Sequence, residues 1–125
     1  MEPFAFEGHV VRLYRDGTSE VIVPEPGPPQ RIDGFTVGAE VVSGGSPHRG
    51  ELHPDGDELL FVISGRMDVI VDDGDEAHVG TETVHRLGPG DACIVPRGTW
   101  HRIEVVEPGR MVNVTPGPHG GARPL

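Results

Sequence analysis

Hydrophobic positions fall in short runs that are rich in β-branched residues and separated by turn formers. Phe35, Val37, Ala39 and Val41 share one parity, as expected of a strand with one buried face, and no segment shows a helical period. The pattern predicts strands at residues 9–15, 20–23, 35–42, 48–53, 59–64, 66–72, 83–87, 92–95, 101–106 and 110–115. So many short strands indicate an all-β sandwich or closed barrel, because an open sheet would leave long exposed edges.

The length of 125 residues suits one compact domain. Residues 1–34 are predicted to form a first strand pair and a proline-rich arm, because the stretch from Pro24 to Pro29 cannot join the interior of a sheet. Residues 35–115 are predicted to form the barrel. The tail at residues 116–125 is predicted to be irregular, with His119 as a solvated loop residue rather than a ligand.

Charge and cysteine content exclude several classes of function. The formal net charge is −10, so phosphate backbones and anionic lipid surfaces would be repelled. We therefore expect no nucleic acid and no membrane partner. The amino-terminal segment MEPFAFEG lacks the basic and apolar parts of a signal peptide, which predicts a cytoplasmic protein. Cys93 is the only cysteine, so an intrachain disulfide is excluded and any metal must bind to His, Glu or Asp.

A first motif lies between Gly45 and Gly65, in the segment GSPHRGELHPDGDELLFVISG. It is similar to the first motif of the cupin superfamily, which consists of a glycine, a His-x-His pair, a glutamate and a closing glycine at fixed spacings. His53 and Glu58 occupy ligand positions of that motif. Glu51 stands where the family has the first histidine of the pair.

A second motif, GDACIVPRGTWHRIEV, begins at Gly90 and resembles the second cupin motif. Pro96, Gly98 and His101 match it, whereas Val105 stands where the family has an asparagine. The motifs occur in the family's order. The resemblance implies a small single-domain cupin, whose fold is an antiparallel double-stranded β-helix or jelly-roll barrel.

Strand geometry gives the first motif a chemical meaning. Side chains two residues apart share a face, so Glu51 and His53 converge, and a reversal at Pro54-Asp55-Gly56 can bring Glu58 opposite them. His101 must come from a distant strand. Two imidazoles and a carboxylate are a ligand set for Fe, Mn, Zn or Ni. We therefore predict a divalent metal ion on His53, Glu58 and His101, and the choice of metal stays open.

Glu51 has two alternative roles. As a ligand it would add a second carboxylate, weaken the Lewis acidity of the metal and favour Mn or Fe(II) over Cu. As a free carboxylate beside the metal it would act as a catalytic general base toward a substrate or water. His48 is another candidate for the missing ligand, although its offset from His53 places it on the opposite face unless a bulge intervenes.

Parity also predicts the lining of the pocket. The side chains in step with the ligands are apolar, and they are Leu60, Val62, Met67, Ile103 and Val105. Arg49 shares the parity of Glu51 and His53. It either enters the pocket mouth, where it would hold an anionic substrate, or lies exposed at a loop edge.

The resemblance implies a metal-dependent enzyme that acts on a small organic molecule, of the dioxygenase, isomerase or lyase type. The same barrel also serves as a non-catalytic sugar-binding or sensor module, and some cupins bind no metal, so these alternatives stay open. A homodimer is expected, because small cupins commonly dimerise and the first strand pair suits exchange across a two-fold interface.

Overall fold

The computed structural model describes all residues 1–125 and consists of strands and connecting loops. The eleven strands are β1 (Val10–Tyr14), β2 (Ser19–Ile22), β3 (Gly34–Val42), β4 (Glu51–Leu52), β5 (Glu58–Val62), β6 (Arg66–Asp72), β7 (Glu82–Leu87), β8 (Ala92–Val95), β9 (Trp100–Glu107), β10 (Gly109–Gly117) and β11 (Gly121–Ala122). The predicted strands at residues 66–72 and 92–95 coincide with β6 and β8. No helix has the length and apolar character that a membrane crossing requires.

The strands form two antiparallel sheets. One sheet has the order β2-β1-β3-β10-β5-β8, and the other has the order β11-β4-β9-β6-β7. From β4 to β10 the chain crosses repeatedly between the sheets, so most strands that are neighbours in a sheet, apart from β1 with β2 and β6 with β7, are not consecutive in the chain. This is the arrangement of a jelly roll, and the predicted fold class is confirmed.

The hydrophobic core lies between the inner faces of the two sheets. Alternation along each strand explains its composition, since β5 buries every second residue from Glu58 to Val62. The six buried core residues are Leu60, Val62, Met67, Val69, Leu87 and Val95, and the partly buried residues packed against them include Ile103, Val105 and Met111. The side chains predicted to line a pocket are therefore core residues, packed against one another.

The N-terminal strand pair extends the larger sheet. β1 pairs with β3 and β2 lies at the sheet edge, in agreement with the prediction of an edge element. The stretch from Pro24 to Pro29 lies outside the strands, because proline cannot donate to a sheet ladder.

The C-terminal tail differs from the prediction. β10 continues to Gly117, and β11 pairs with β4, so Pro116, Gly117, Gly121 and Ala122 of the tail belong to the sheets. Arg123 is fully buried, with its guanidinium paired to Asp72. The prediction of an irregular tail is wrong for residues 116–117 and 121–122, and it missed the burial of Arg123, because pairing between distant parts of the chain leaves no local pattern. His119 is exposed and contacts Asp55.

Candidate metal centre

Four predicted site residues meet at the inner face of the two sheets. Glu51 on β4 is the direct cross-strand partner of His101 on β9. His53 follows β4 immediately, and Glu58 opens β5 in the opposite sheet after the reversal that was predicted between them. The sheets therefore bring together residues from three strands and one loop.

The candidate ligand atoms of Glu51, His53, Glu58 and His101 all lie within 4.8 Å of one another. Nε2 of His101 is 3.0 Å from Glu58 Oε1 and 3.4 Å from Glu51 Oε1. Nε2 of His53 is 3.4 Å from Glu51 Oε1 and 3.5 Å from Glu58 Oε2. Both imidazoles thus direct the same ring atom at the two carboxylates, as a shared cation would require.

His53 gives the strongest indication that the cluster fits a metal ion. Its side chain is 6% exposed, and neither ring nitrogen has a hydrogen-bond partner. A buried polar atom without a partner costs about 1–3 kcal/mol, so such atoms are rare and call for an explanation. A cation between His53 and the two carboxylates would satisfy Nε2. The donor set and its burial therefore fit a divalent metal ion.

A shell of hydrogen bonds orients the buried ligands. Thr115 donates its hydroxyl to Glu58 Oε2 at 2.5 Å, and Asn113 donates its amide to Thr115 at 2.8 Å. Nδ1 of His101 donates to the carbonyl of Thr99 at 2.9 Å, because a carbonyl only accepts. This bond directs Nε2 at the carboxylates, which is the usual arrangement around metal-ligating histidines.

The charges of the cluster are strongly coupled. Burial alone would lower the pKa of His101, but its hydrogen bonds to Glu51 and Glu58 outweigh burial and raise the pKa to about 10. Burial would raise the pKa of Glu51, whereas its contacts with His101, His48 and His53 hold that pKa far below its usual range. In the metal-free protein a proton on His101 balances carboxylate charge, and a divalent cation would take the place of that proton.

His48 lies behind Glu51 rather than among the ligands. Its Nε2 is 3.5 Å from Glu51 Oε2, and its Nδ1 accepts the backbone N–H of Gly50 at 3.1 Å. The predicted strand at 48–53 is only Glu51–Leu52 here, so His48 reaches Glu51 from a loop and parity does not govern it. The two oxygens of Glu51 therefore have separate neighbours.

Arg49 points away from the cluster. It is exposed, its Nε donates to the carbonyl of Pro124 at 2.7 Å, and it borders a surface recess with Val79, Glu82 and Arg102. Arg49 therefore lies at an exposed loop edge and not in the pocket mouth. The pairing of the tail with this loop is the reason, since it draws Arg49 toward the tail.

Sequence reasoning missed Thr115, Asn113 and Thr99. One usable signal existed on β10, where Asn113 and Thr115 share the parity of Met111 and so face the core. Polar residues at inward positions of a largely apolar strand indicate a buried polar site. The carbonyl of Thr99 leaves no such trace, because any residue offers one.

Comparisons with known proteins agree with this geometry. The cupin domain family matches residues 39–115. The fold is similar to that of oxalate decarboxylase from Bacillus subtilis, with a TM-score of 0.56, 22% identity and coverage of 70% of this chain and 23% of that chain. It is also similar to a cupin-2 domain protein from Shewanella frigidimarina, with a TM-score of 0.52, 19% identity and coverage of 66% of this chain and 71% of that chain.

At these identities the likeness concerns the fold alone. This chain spans about a quarter of the length of the oxalate decarboxylase chain, and no curated protein matches it in sequence. The family match covers more than half of the chain, including both motifs and all four clustered residues. The chain therefore belongs to the cupin domain family.

Proposed function

We propose that this cupin binds one divalent metal ion on Glu51, His53, Glu58 and His101, and that it is a metal-dependent enzyme acting on a small organic molecule. One observation carries the metal: His53 is buried without a hydrogen-bond partner, and its Nε2 lies 3.4–3.5 Å from the carboxylates of Glu51 and Glu58. A polar group buried in the core without a partner is unfavourable, and a bound cation would supply the missing partner.

Glu51 is proposed as the fourth ligand through Oε1, which faces both imidazoles. Its Oε2 is turned to His48, so the carboxylate is held at both ends. Its side chain is 28% exposed, in contrast to 1–6% for the other three ligands. Glu51 is therefore also the ligand most accessible to water.

Two carboxylates and two imidazoles form a mixed oxygen and nitrogen set that suits Mn(II) or Fe(II), and also accepts Zn or Ni. The Bacillus subtilis oxalate decarboxylase with the similar fold has Mn(II) centres, which supports this range without deciding it. When bound, the metal would polarise an oxygen of the substrate as a Lewis acid. The protein's own part is to bury the site, to exclude bulk water and to orient Glu58 and His101 through Thr115 and Thr99.

We infer the reaction class from the coordination positions that four protein ligands would leave open. Four protein ligands leave room on a five- or six-coordinate ion for a carboxylate or carbonyl oxygen of a small molecule. Dioxygenase, isomerase and lyase chemistry all use that geometry, and we propose an enzyme of this group. A non-catalytic binding protein would instead hold its ligand at the same position without turnover.

Metal content tests the proposal directly. We expect the purified protein to hold about one metal ion per chain, and His53→Ala and His101→Ala to hold almost none, because each removes a buried ligand. Elemental analysis of the three proteins provides the measurement. His119→Ala is the matched control, since His119 is exposed and lies outside the cluster.

Native protein that stays metal-free after incubation with Fe(II), Mn(II), Ni(II) and Zn(II) salts would contradict the metal site. Metal retained in both variants at the native level would do the same. Stoichiometric metal without turnover of any small carboxylate or carbonyl compound would favour the binding protein over the enzyme.

We also propose that two copies associate through the outer face of the larger sheet. The register places Val21, Val11, Leu13 and Phe35 on this face, which also carries Val41 and Ile94. Leu13 and Phe35 are each 42% exposed and Val41 is 61% exposed. A largely apolar sheet face, on which Arg110 lies opposite Val41, is unusual on a monomer and complements a second copy of itself, whereas the net charge of −10 would oppose contact through other faces.

Light scattering during size exclusion tests this association. The native protein is expected to elute with the mass of a dimer. Phe35→Asp combined with Val41→Asp is expected to give a monomer, because the face would then carry two like charges on each copy. Val79→Asp, at an exposed position on the other sheet's side of the molecule, should leave the dimer intact. A native monomer would contradict the proposal.

A further inference from the structure

A cleft opens between the two sheets at one edge of the molecule. β7 and β8 are the end strands of their sheets and do not pair with each other, so the sandwich is unclosed there. The cleft has a volume of about 330 Å³ and is lined by Val69, Val71, His85, Cys93, Ile94, Val95, Pro96 and Thr99. This volume lies at the lower end of the range for small-molecule sites.

The inner wall of the cleft adjoins the metal centre. Val71 is the cross-strand partner of His101, and Val95 is the cross-strand partner of Glu58. The carbonyl of Thr99, another lining residue, accepts the hydrogen bond from His101 Nδ1. The cleft therefore lies one strand away from the ligands in both sheets.

The exposure pattern of β7 shows that the cleft is open to solvent. Its residues from Glu82 to Arg86 are exposed, and only Leu87 joins the core. His85 pairs with the core residue Val69 and shares its inward parity, yet it is exposed because nothing from the other sheet covers it. At the opposite end of the same sheet, β11 pairs with β4 and so covers the edge of the strand that carries Glu51.

The residues that line the cleft favour one type of small molecule. Five of the eight lining residues are hydrophobic, and none is lysine or arginine. The polar groups are His85 at the outer strand, Cys93 and Thr99. A compact dianion such as oxalate would find no compensating positive charge on these walls, whereas a molecule with a hydrocarbon body would bury it against Val69, Val71 and Val95.

We propose that this cleft is the substrate-binding cleft of the metal centre, and that it takes a small neutral or singly charged molecule with a carboxylate or carbonyl oxygen at one end and an apolar body behind it. The inference rests on the proposed function, because the oxygen end is to reach the metal. His85 faces the outer end of the body and is a specificity residue. With this lining, the cleft would bind such a molecule in preference to oxalate.

Cys93 allows a direct test, since it is the only cysteine and lines the cleft. Burial and the nearby Glu58 raise the pKa of the Cys93 thiol, so labelling is carried out at alkaline pH. Methyl and benzyl methanethiosulfonate give a small and a bulky adduct on the folded protein. The probe is 3-methyl-2-oxobutanoate, titrated into Co(II)-loaded protein and followed by the visible absorption of Co(II), with oxalate as the comparison ligand.

We expect the benzyl adduct to weaken binding of the oxo acid at least about tenfold, and the methyl adduct to change it less. Metal content should be the same in all samples. In unlabelled protein the oxo acid should bind more tightly than oxalate. The control is a benzyl adduct on Val84→Cys in a Cys93→Ser background, because Val84 is 56% exposed and faces away from the cleft on β7. That adduct should leave binding at the level of the unlabelled Val84→Cys, Cys93→Ser protein, which is its reference.

His85→Trp should narrow the outer end of the same cleft without touching the four metal ligands. We expect it to weaken binding of the oxo acid about tenfold as well. Unchanged binding in both the benzyl adduct and His85→Trp would overturn the cleft alone, while leaving the metal centre intact. Tighter binding of oxalate than of the oxo acid would overturn the proposed selectivity. Failure of the unlabelled protein to hold Co(II) would overturn the proposed function together with this inference.

Discussion

Arg123→Met is expected to lower the free energy of unfolding by about 3–5 kcal/mol. The side chains of Arg123 and Asp72 are 0% and 1% exposed, and two hydrogen bonds of 2.8 Å join them. The guanidinium also donates to the carbonyls of Asp75 and Arg49 and stacks 4.3 Å from the ring of Trp100. Removing it leaves the charge of Asp72 buried without its partner, which is the expensive way to break an ion pair.

Urea unfolding of the variant and the native protein measures the difference. Arg15→Met is the matched control, because Arg15 pairs with Asp33 at 2.8 Å while both side chains are more than 60% exposed, and it should cost less than about 1 kcal/mol. Asp72→Asn combined with Arg123→Met should recover part of the loss, since the charge is gone and the amide oxygen still accepts from Gly74 and Gly80. Equal losses in Arg123→Met and Arg15→Met would contradict the buried pair.

The destabilisation caused by Arg123→Met is expected to depend on pH, because Asp72 is titratable. The hydrogen bonds from Arg123, opposed by burial, hold the pKa of Asp72 well below its usual value. A carboxylate with a depressed folded pKa contributes stability above its unfolded pKa, and this contribution is lost as the pH falls toward the folded pKa. The gap between native protein and Arg123→Met should therefore be largest near neutral pH and narrow below about pH 4.

Saturating metal is expected to raise the free energy of unfolding of the native protein by about 4 kcal/mol when free metal exceeds the dissociation constant a thousandfold. The metal binds the folded cluster and satisfies His53, which otherwise has no partner for either ring nitrogen. Glu58→Gln should lose most of this gain, because it keeps the shape of the side chain and removes a carboxylate ligand. Urea midpoints with Mn(II) and with a chelator provide the measurement.

His119→Ala should keep the full stabilisation by metal, since His119 lies on the surface. A stabilisation of equal size in Glu58→Gln would show that the metal acts elsewhere on this acidic chain. The absence of any stabilisation in the native protein, at metal concentrations that the elemental analysis shows to be saturating, would show that the cluster is not the binding site.

The strand pattern and the two motifs together predicted most of the fold. Alternating apolar residues predict strands because each face of a strand meets one environment, and β5 obeys that rule. β6 departs from it, because it is buried on both faces from Met67 to Ile70. The convergence of Glu51, His53 and Glu58 could be argued from parity and one reversal. His101 could be added only through the family motif, since its cross-strand contact with Glu51 has no local signature.

The remaining features depend on contacts between distant residues. The buried pair of Arg123 and Asp72 is invisible in sequence, because a charged residue near the end of a chain is normally solvated. The cleft between β7 and β8 is equally hidden. It results from two sheet edges that fail to meet, and parity assigns His85 to the interior without showing that the interior is open there.

The pairing of β4 also bears on the order of events in folding. The strand that carries Glu51 has only two residues, and its neighbours are β9 and β11, which come much later in the chain. The two residues before it, Arg49 and Gly50, are joined to the backbone of Arg123 by hydrogen bonds. Such a short strand has little stability before these partners arrive, because contacts between distant segments form late. We therefore expect the complete metal centre to form late in folding, so that metal capture would report the docking of the tail against β4.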